Sequence, residues 1–192
     1  VKPEDTKKFA GRIFKEAQRL ITLVNDVIKI SQLDEGKLPY EKETVDLYEM
    51  AREILKRMED HAKDEGVHLY LYGPHIKTNT VKSILDEILY NLCDNGIKYN
   101  KKGGSLTVTI GQDEERPRII VEDTGIGISE EDQKRIFERF YRVDKSHSKA
   151  IGGTGLGLSI VKHGTMFLGA DMKVESTLGE GSRFILTLPE DE

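Results

Sequence analysis

A branched apolar run that ends in a carboxylate and two glycines limits how this chain can fold more than any other stretch. In Val121-Glu122-Asp123-Thr124-Gly125-Ile126-Gly127-Ile128, the run closes with Ile119, Ile120 and Val121, side chains that a buried strand favours. Asp123 then stands at the strand's end, where it can accept a hydrogen bond from an amine. Gly125 and Gly127 let the backbone turn sharply and approach a ligand closely. Alone, this motif also fits an ordinary strand-to-helix turn. Two further stretches, in order along the chain, narrow the reading. Upstream lies Asn91-Leu92-Cys93-Asp94-Asn95-Gly96-Ile97-Lys98-Tyr99-Asn100, and downstream lies Gly152-Gly153-Thr154-Gly155-Leu156-Gly157-Leu158.

Asn91, Asn95 and Lys98 are spaced i, i+4 and i+7, so one helix face carries two amides and an ammonium. Magnesium takes hard oxygen ligands and often uses only one or two protein groups beside substrate phosphates. An amide oxygen meets that need without adding negative charge, and a lysine neutralises phosphate directly. Polar helix packing is the plainer alternative for the two asparagines. The alternating glycines of residues 152–157 precede a helix, and amides at a helix start within a glycine nest bind phosphate oxygens. They lack the Gly-Lys-Ser/Thr of a P-loop, so this is a different cradle. The polar stretch 143–151 reads as a lid over the ligand. Phe137 and Phe140 read as its apolar anchors, and Arg142 as a phosphate contact or a surface ion pair.

Elsewhere the pattern predicts a long helix over residues 4–33, with an apolar stripe through Ile13, Leu20 and Val27 that is wide enough to need partner helices. Gly36 and Pro39 mark a boundary. Asp46 should cap a helix running to about residue 64, which Gly66 ends. A strand over 67–72, a helix over 78–99, a hairpin of 105–110 with 118–122, and a helix capped by Ser129 follow. A helix over 156–168 and two strands, 172–176 and 182–188, complete the chain.

The net charge of −5 and the lack of a basic patch with interleaved aromatics give no support to nucleic-acid binding. Cys93 is the only cysteine, which excludes an internal disulfide and fits a reducing, cytoplasmic setting. No apolar run reaches membrane-spanning length and no signal peptide is evident, so any membrane attachment would come through upstream segments. The start at Val1-Lys2-Pro3, directly before a helix pattern, suggests a piece of a longer protein.

Taken together, the motifs resemble the ATP-binding catalytic part of two-component sensor histidine kinases, in the GHKL superfamily. Residues 91–100 resemble its N box, 123–127 and 152–158 its first two glycine boxes, 136–142 its F box, and 179–184 a third glycine box. The resemblance implies an α/β (α+β) two-layer sandwich of the Bergerat type with a mixed sheet, preceded by a long bundle helix. Residues 1–36 would be the second helix of the dimerisation and phosphotransfer hairpin, and residues 37–192 the catalytic domain.

The same resemblance makes ATP and Mg2+ the ligands. It assigns Asn95 to the metal, Asn91 to the metal and phosphates, Lys98 and Arg142 to phosphates, Tyr99 to the nucleotide's flank and Asp123 to the adenine amine. Gly125, Gly127, Gly153, Thr154, Gly155, Leu156 and Gly157 would shape the pocket and lid. The implied partners are a histidine-bearing helix within a homodimer and a response-regulator receiver domain.

Two departures stand out. Gly96 replaces the family's usual alanine, a change worth about 1 kcal/mol of helix stability. None of His61, His68, His75, His147 or His163 has the acid and proline context of the phosphoacceptor, so the acceptor is expected outside these residues. The rival readings are a GHKL-type ATPase or conformational switch, and a non-catalytic nucleotide-binding module. Relatives that hydrolyse ATP carry a glutamate base where Asn91 stands, and an amide cannot take a proton from water.

Overall fold

In the computed structural model, which describes residues 3–35, 40–143 and 154–190, one helical layer covers one face of a mixed sheet. Helix α1 (Pro3–Glu35) comes first. Strand β1 (Glu43–Asp46), helices α2 (Leu47–Arg57) and α3 (Glu59–Glu65), and strands β2 (His68–Tyr72) and β3 (Lys77–Thr80) follow. Helix α4 (Lys82–Lys98) leads into the hairpin of β4 (Ser105–Asp113) and β5 (Arg116–Asp123). Helices α5 (Glu130–Gln133) and α6 (Gly157–Phe167) and strands β6 (Asp171–Thr177) and β7 (Gly181–Thr187) close the chain.

The sheet order is β2-β4-β5-β7-β6, with β2 parallel to β4 and every other pair antiparallel. Alternation along the strands sends Leu106, Val108, Ile110, Ile119, Val121, Phe184 and Leu186 to one face. There they meet Leu85, Ile88, Leu89, Leu92, Cys93 and Ile97 of α4. Full burial pushes the Cys93 thiol up to about 12, so the residue behaves as a small apolar side chain. The expected two-layer α/β architecture with a leading helix is the one observed.

Several local readings change. The single helix expected after Asp46 is two, because the chain turns at Met58, whose amide bonds back to Leu55 O. The turn sends Met58 into the core and re-aims α3 so that Ala62 is buried as well. Asp46 does cap α2, its carboxylate accepting the Glu49 amide at 3.1 Å, and Gly66 ends α3 in the left-handed conformation. Residues 78–80 are not helical: Thr78 and Thr80 point inward from β3, which pairs with β1 in a separate two-stranded ribbon. Helix α4 therefore starts four residues later than predicted.

Among the described residues, helix α1 docks through its C-terminal part, where Leu23 and Ile30 meet Leu156 and Ile160, and Leu33 joins the main core. Phe9, Ile13, Phe14, Leu20, Ile21, Val24, Val27 and Ile28 remain exposed.

Gly96 is explained by packing. A Cβ there would run into the end of the fully buried Leu106 side chain. Helix propensity favours alanine by about 1 kcal/mol, but overpacking a core typically costs about 1–3 kcal/mol. Gly96→Ala should therefore leave stability unchanged or lower it in urea unfolding, and adding Leu106→Val should recover part of the loss. A gain of about 1 kcal/mol from Gly96→Ala alone would contradict this packing argument.

Candidate functional site

Helix α4 buries one stripe under the sheet and leaves Asn91, Asn95 and Lys98 half-buried on another. The Asn91 amide nitrogen donates to the Glu87 carbonyl at 2.8 Å and lies 3.4 Å from Glu87 Oε1. This turns the amide oxygen toward the start of α6, 2.9 Å from the point where a Cβ on Gly157 would stand. Asn95 Nδ2 lies 3.9 Å from the same point. The two asparagines and the second glycine box, about sixty residues apart in sequence, thus meet. Lys98 Nζ is 2.5 Å from Asp94 Oδ2, one turn back, and His61 Nε2 stands 3.7 Å from the other Asp94 oxygen.

Strand β5 delivers Asp123 beside this helix, its Cβ 3.5 Å from the Cβ position of Gly96. Burial raises the Asp123 carboxyl to about 6, against the lowering effect of hydrogen bonds from the Gly125 and Ser182 amides. The Gly125 N–H reaches Oδ1 at 2.8 Å. Two glycines are required here by close approach. A Cβ on Gly125 would strike the carbonyl oxygen of Tyr99, the residue that ends α4. Gly127 has a φ of 68°, and its Cβ would strike the Thr177 carbonyl. The Ile126 amide donates to that Tyr99 carbonyl at 3.0 Å, so the first glycine box is stitched to the end of α4.

The F box and the second glycine box also meet. Phe140 N–H donates to the Gly155 carbonyl at 3.0 Å, and Arg142 Cγ lies 3.3 Å from the Gly155 Cβ position. Leu156 is fully buried against Ile30 and Ile160. Phe137 packs on the core as expected, but Phe140 is 57% exposed with a φ of 63°, so the apolar anchor falls on Ile136 and Phe137 instead. The main-chain contact with Gly155 holds Phe140 in this turn. Gly153 and the predicted lid, except Val143, lie outside the described residues.

Contacts that the sequence did not announce tie α1 to the site. Thr154 Oγ1 donates to Asp26 Oδ2 at 3.1 Å. Lys29 Nζ is 2.7 Å from Glu87 Oε2. Asp34 bridges Arg139 of the F box at 2.6 Å and His163 of α6 at 2.5 Å. Glu87 precedes Asn91 by one helical turn, a spacing that could have revealed it. Asp26 and Asp34 carry no such signal, since their partners lie more than a hundred residues away.

The donor set suits a magnesium–nucleotide ligand. The Asn91 amide presents oxygen rather than nitrogen toward Gly157, a hard donor without charge; Arg142 lies against Gly155, and Lys98, paired with Asp94, ends the same helix face. A cleft of about 580 Å³ at the other end of α4, lined by residues including Tyr40, Arg57, Lys82 and Asp86, contains none of these side chains.

Residues 80–192 match the family model described as histidine kinase-, DNA gyrase B- and HSP90-like ATPase. Sensor-like histidine kinase SenX3 of Mycolicibacterium smegmatis is 32% identical over 189 residues, covering 98% of this chain and 49% of that protein. The chain thus spans about half the length of this relative. The crystal structure of full-length ShkA in complex with AMPPNP superposes with a TM-score of 0.84 at 26% identity, covering 96% of this chain and 39% of that one. The fold also matches histidine kinase ThkA in complex with response regulator protein TrrA, with a TM-score of 0.75 at 22% identity over 99% of this chain and 53% of that one.

The raised Asp123 carboxyl has a consequence for stability. Between the ordinary value of 3.8 and about 6, the folded protein holds a proton that the unfolded chain has released. The contribution of this residue to stability must then fall as pH rises through that window and stay low above it. Asp123→Asn should therefore stabilise the ligand-free protein above pH 6, with the advantage shrinking toward pH 4. Thermal melts of both proteins across this range test it, and an advantage that does not vary with pH would contradict the burial argument.

Proposed function

Because the chain belongs to the histidine kinase-, DNA gyrase B- and HSP90-like ATPase family, with an ATP-binding domain of the kind found in sensor histidine kinases, we propose that it is the catalytic part of such a kinase. In this reading it binds ATP with magnesium and transfers the γ-phosphoryl group to a histidine other than the five in this chain. Residues 1–36 serve as the second helix of a dimeric phosphotransfer hairpin, and residues 37–192 as the nucleotide-binding unit. A response regulator then receives the phosphoryl group on an aspartate, as the ThkA–TrrA pairing suggests. The setting is cytoplasmic, where ATP and the regulator are found.

The observation that carries this reading is the convergence of the two glycine boxes on one helix, with the F box joined to the second of them. Asn91 and Asn95 approach Gly157, Arg142 approaches Gly155, and Asp123 stands against Gly96. Asp123, a half-buried acceptor, selects adenine through its amine. Asn95 holds the metal, with the Asn91 oxygen beside it. Lys98 and Arg142 counter the charge of the phosphates, and the amides around Gly155 and Gly157 cradle their oxygens. Magnesium, when bound, neutralises charge on the transferring group, and the protein's own part is positioning and electrostatics. Lys98 must turn from Asp94 to reach a phosphate, a small movement for a long, half-buried side chain.

Asp123→Asn should weaken ADP binding by about 1.5–3 kcal/mol, the range for a hydrogen bond to a charged group, and the parent should bind guanine nucleotides poorly in calorimetry. Phosphotransfer is tested with γ-labelled ATP. The chain alone should form no acid-labile phosphohistidine, and a histidine-bearing hairpin joined to it should become labelled. Stoichiometric acid-labile label on any of its five histidines would overturn the assignment of the acceptor.

A further inference from the structure

We propose that Lys29 and Glu87 form a positioning pair that sets the orientation of the Asn91 side-chain amide, so that helix α1 acts through Glu87 on the metal and phosphate end of the site. The inference rests on the reading of Asn91 given above. An asparagine amide has two ends of nearly equal shape but opposite hydrogen-bonding character. Only the oxygen end serves a cation, so the amide must be held against a flip. Its nitrogen faces two acceptors, and both belong to Glu87: the carbonyl at 2.8 Å and Oε1 at 3.4 Å.

The carbonyl is present whatever residue occupies position 87, so the side chain's own contribution is the carboxylate. A carboxylate one turn from Asn91 is also a hazard. Unrestrained, it could stand beside the phosphates and repel them. Lys29 removes that freedom by holding Oε2 at 2.7 Å, which leaves Oε1 facing Asn91. The two side chains are 46% and 31% exposed, so the ion pair by itself adds little stability. Its effect is orientation. The groups around it belong to the same junction: Asp26, one turn earlier on α1, feels the charges of Lys29, Glu87 and Lys98 and hydrogen-bonds Thr154 of the second glycine box. The neighbouring pair Arg57–Asp86 lies on a different side of α4, with Arg57 over the Tyr90 ring, and serves as a control.

The test is ADP binding to the intact chain by calorimetry, in magnesium and in EDTA. Lys29→Met should weaken binding about three- to tenfold in magnesium, within the range of coupling between contacting residues, and less in EDTA. Lys29→Arg should restore it, and Arg57→Met should leave it unchanged. In an Asn91→Ala background, Lys29→Met should cause no further loss. An equal loss in that background, or an equal loss in magnesium and in EDTA, would refute the positioning role. If Asn91→Ala itself leaves magnesium-dependent affinity intact, the assignment of Asn91 fails first and the positioning role fails with it.

Discussion

Helix α4 has to satisfy two demands with one amphipathic surface, and the rest of the molecule is arranged around that constraint. Its apolar stripe, from Leu85 to Ile97, lies under the five-stranded sheet and forms the centre of the core. Its polar stripe carries Asn91, Asn95 and Lys98. Packing the first fixes the second, because side chains in a well-packed helix share its rigidity. A functional group on such an element is held more precisely than one on a loop. The cost is visible at Gly96, where the Leu106 side chain lies so close that a methyl group has no free space.

The loops that complete the site are fastened to this helix by their main chains. Gly125 lies against the carbonyl of Tyr99, and the Ile126 amide bonds to it, so the first glycine box is an extension of the end of α4. The second box begins α6, which packs along α4 and brings Gly157 against the Asn91 amide oxygen. Asp123 stands beside Gly96 as a half-buried carboxylate, its charged form disfavoured in the free protein by its surroundings. Sites that hold a desolvated charge for a ligand commonly sacrifice stability in this way.

Most of this was legible in the sequence because it is written in short-range patterns. Strands β4, β5 and β7 alternate cleanly, the caps at Asp46 and Ser129 fall where expected, and the three motifs converge. What was not legible depends on tertiary contact. The turn at Met58 has no glycine or proline to announce it, and Thr78 and Thr80 take up strand geometry because β1 is available as a partner. Phe140 is exposed although Ile136 and Phe137 of the same F box are packed, since its backbone is committed to Gly155. The contacts of α1 with Thr154, Glu87, Arg139 and His163 join residues too distant for any periodicity to relate.

The proposed seat of a magnesium nucleotide is the space among the asparagines of α4, the carboxylate of Asp123 and the two glycine boxes. Amide and side-chain NMR shifts during titration with magnesium ADP would locate it. The largest changes are expected at Asn91, Asn95, Lys98, Asp123, Gly125 and Gly157, with little change around Tyr40, Arg57 and Asp86. Saturable shifts centred on the cleft at the opposite end of α4, with the asparagine amides unmoved, would contradict it.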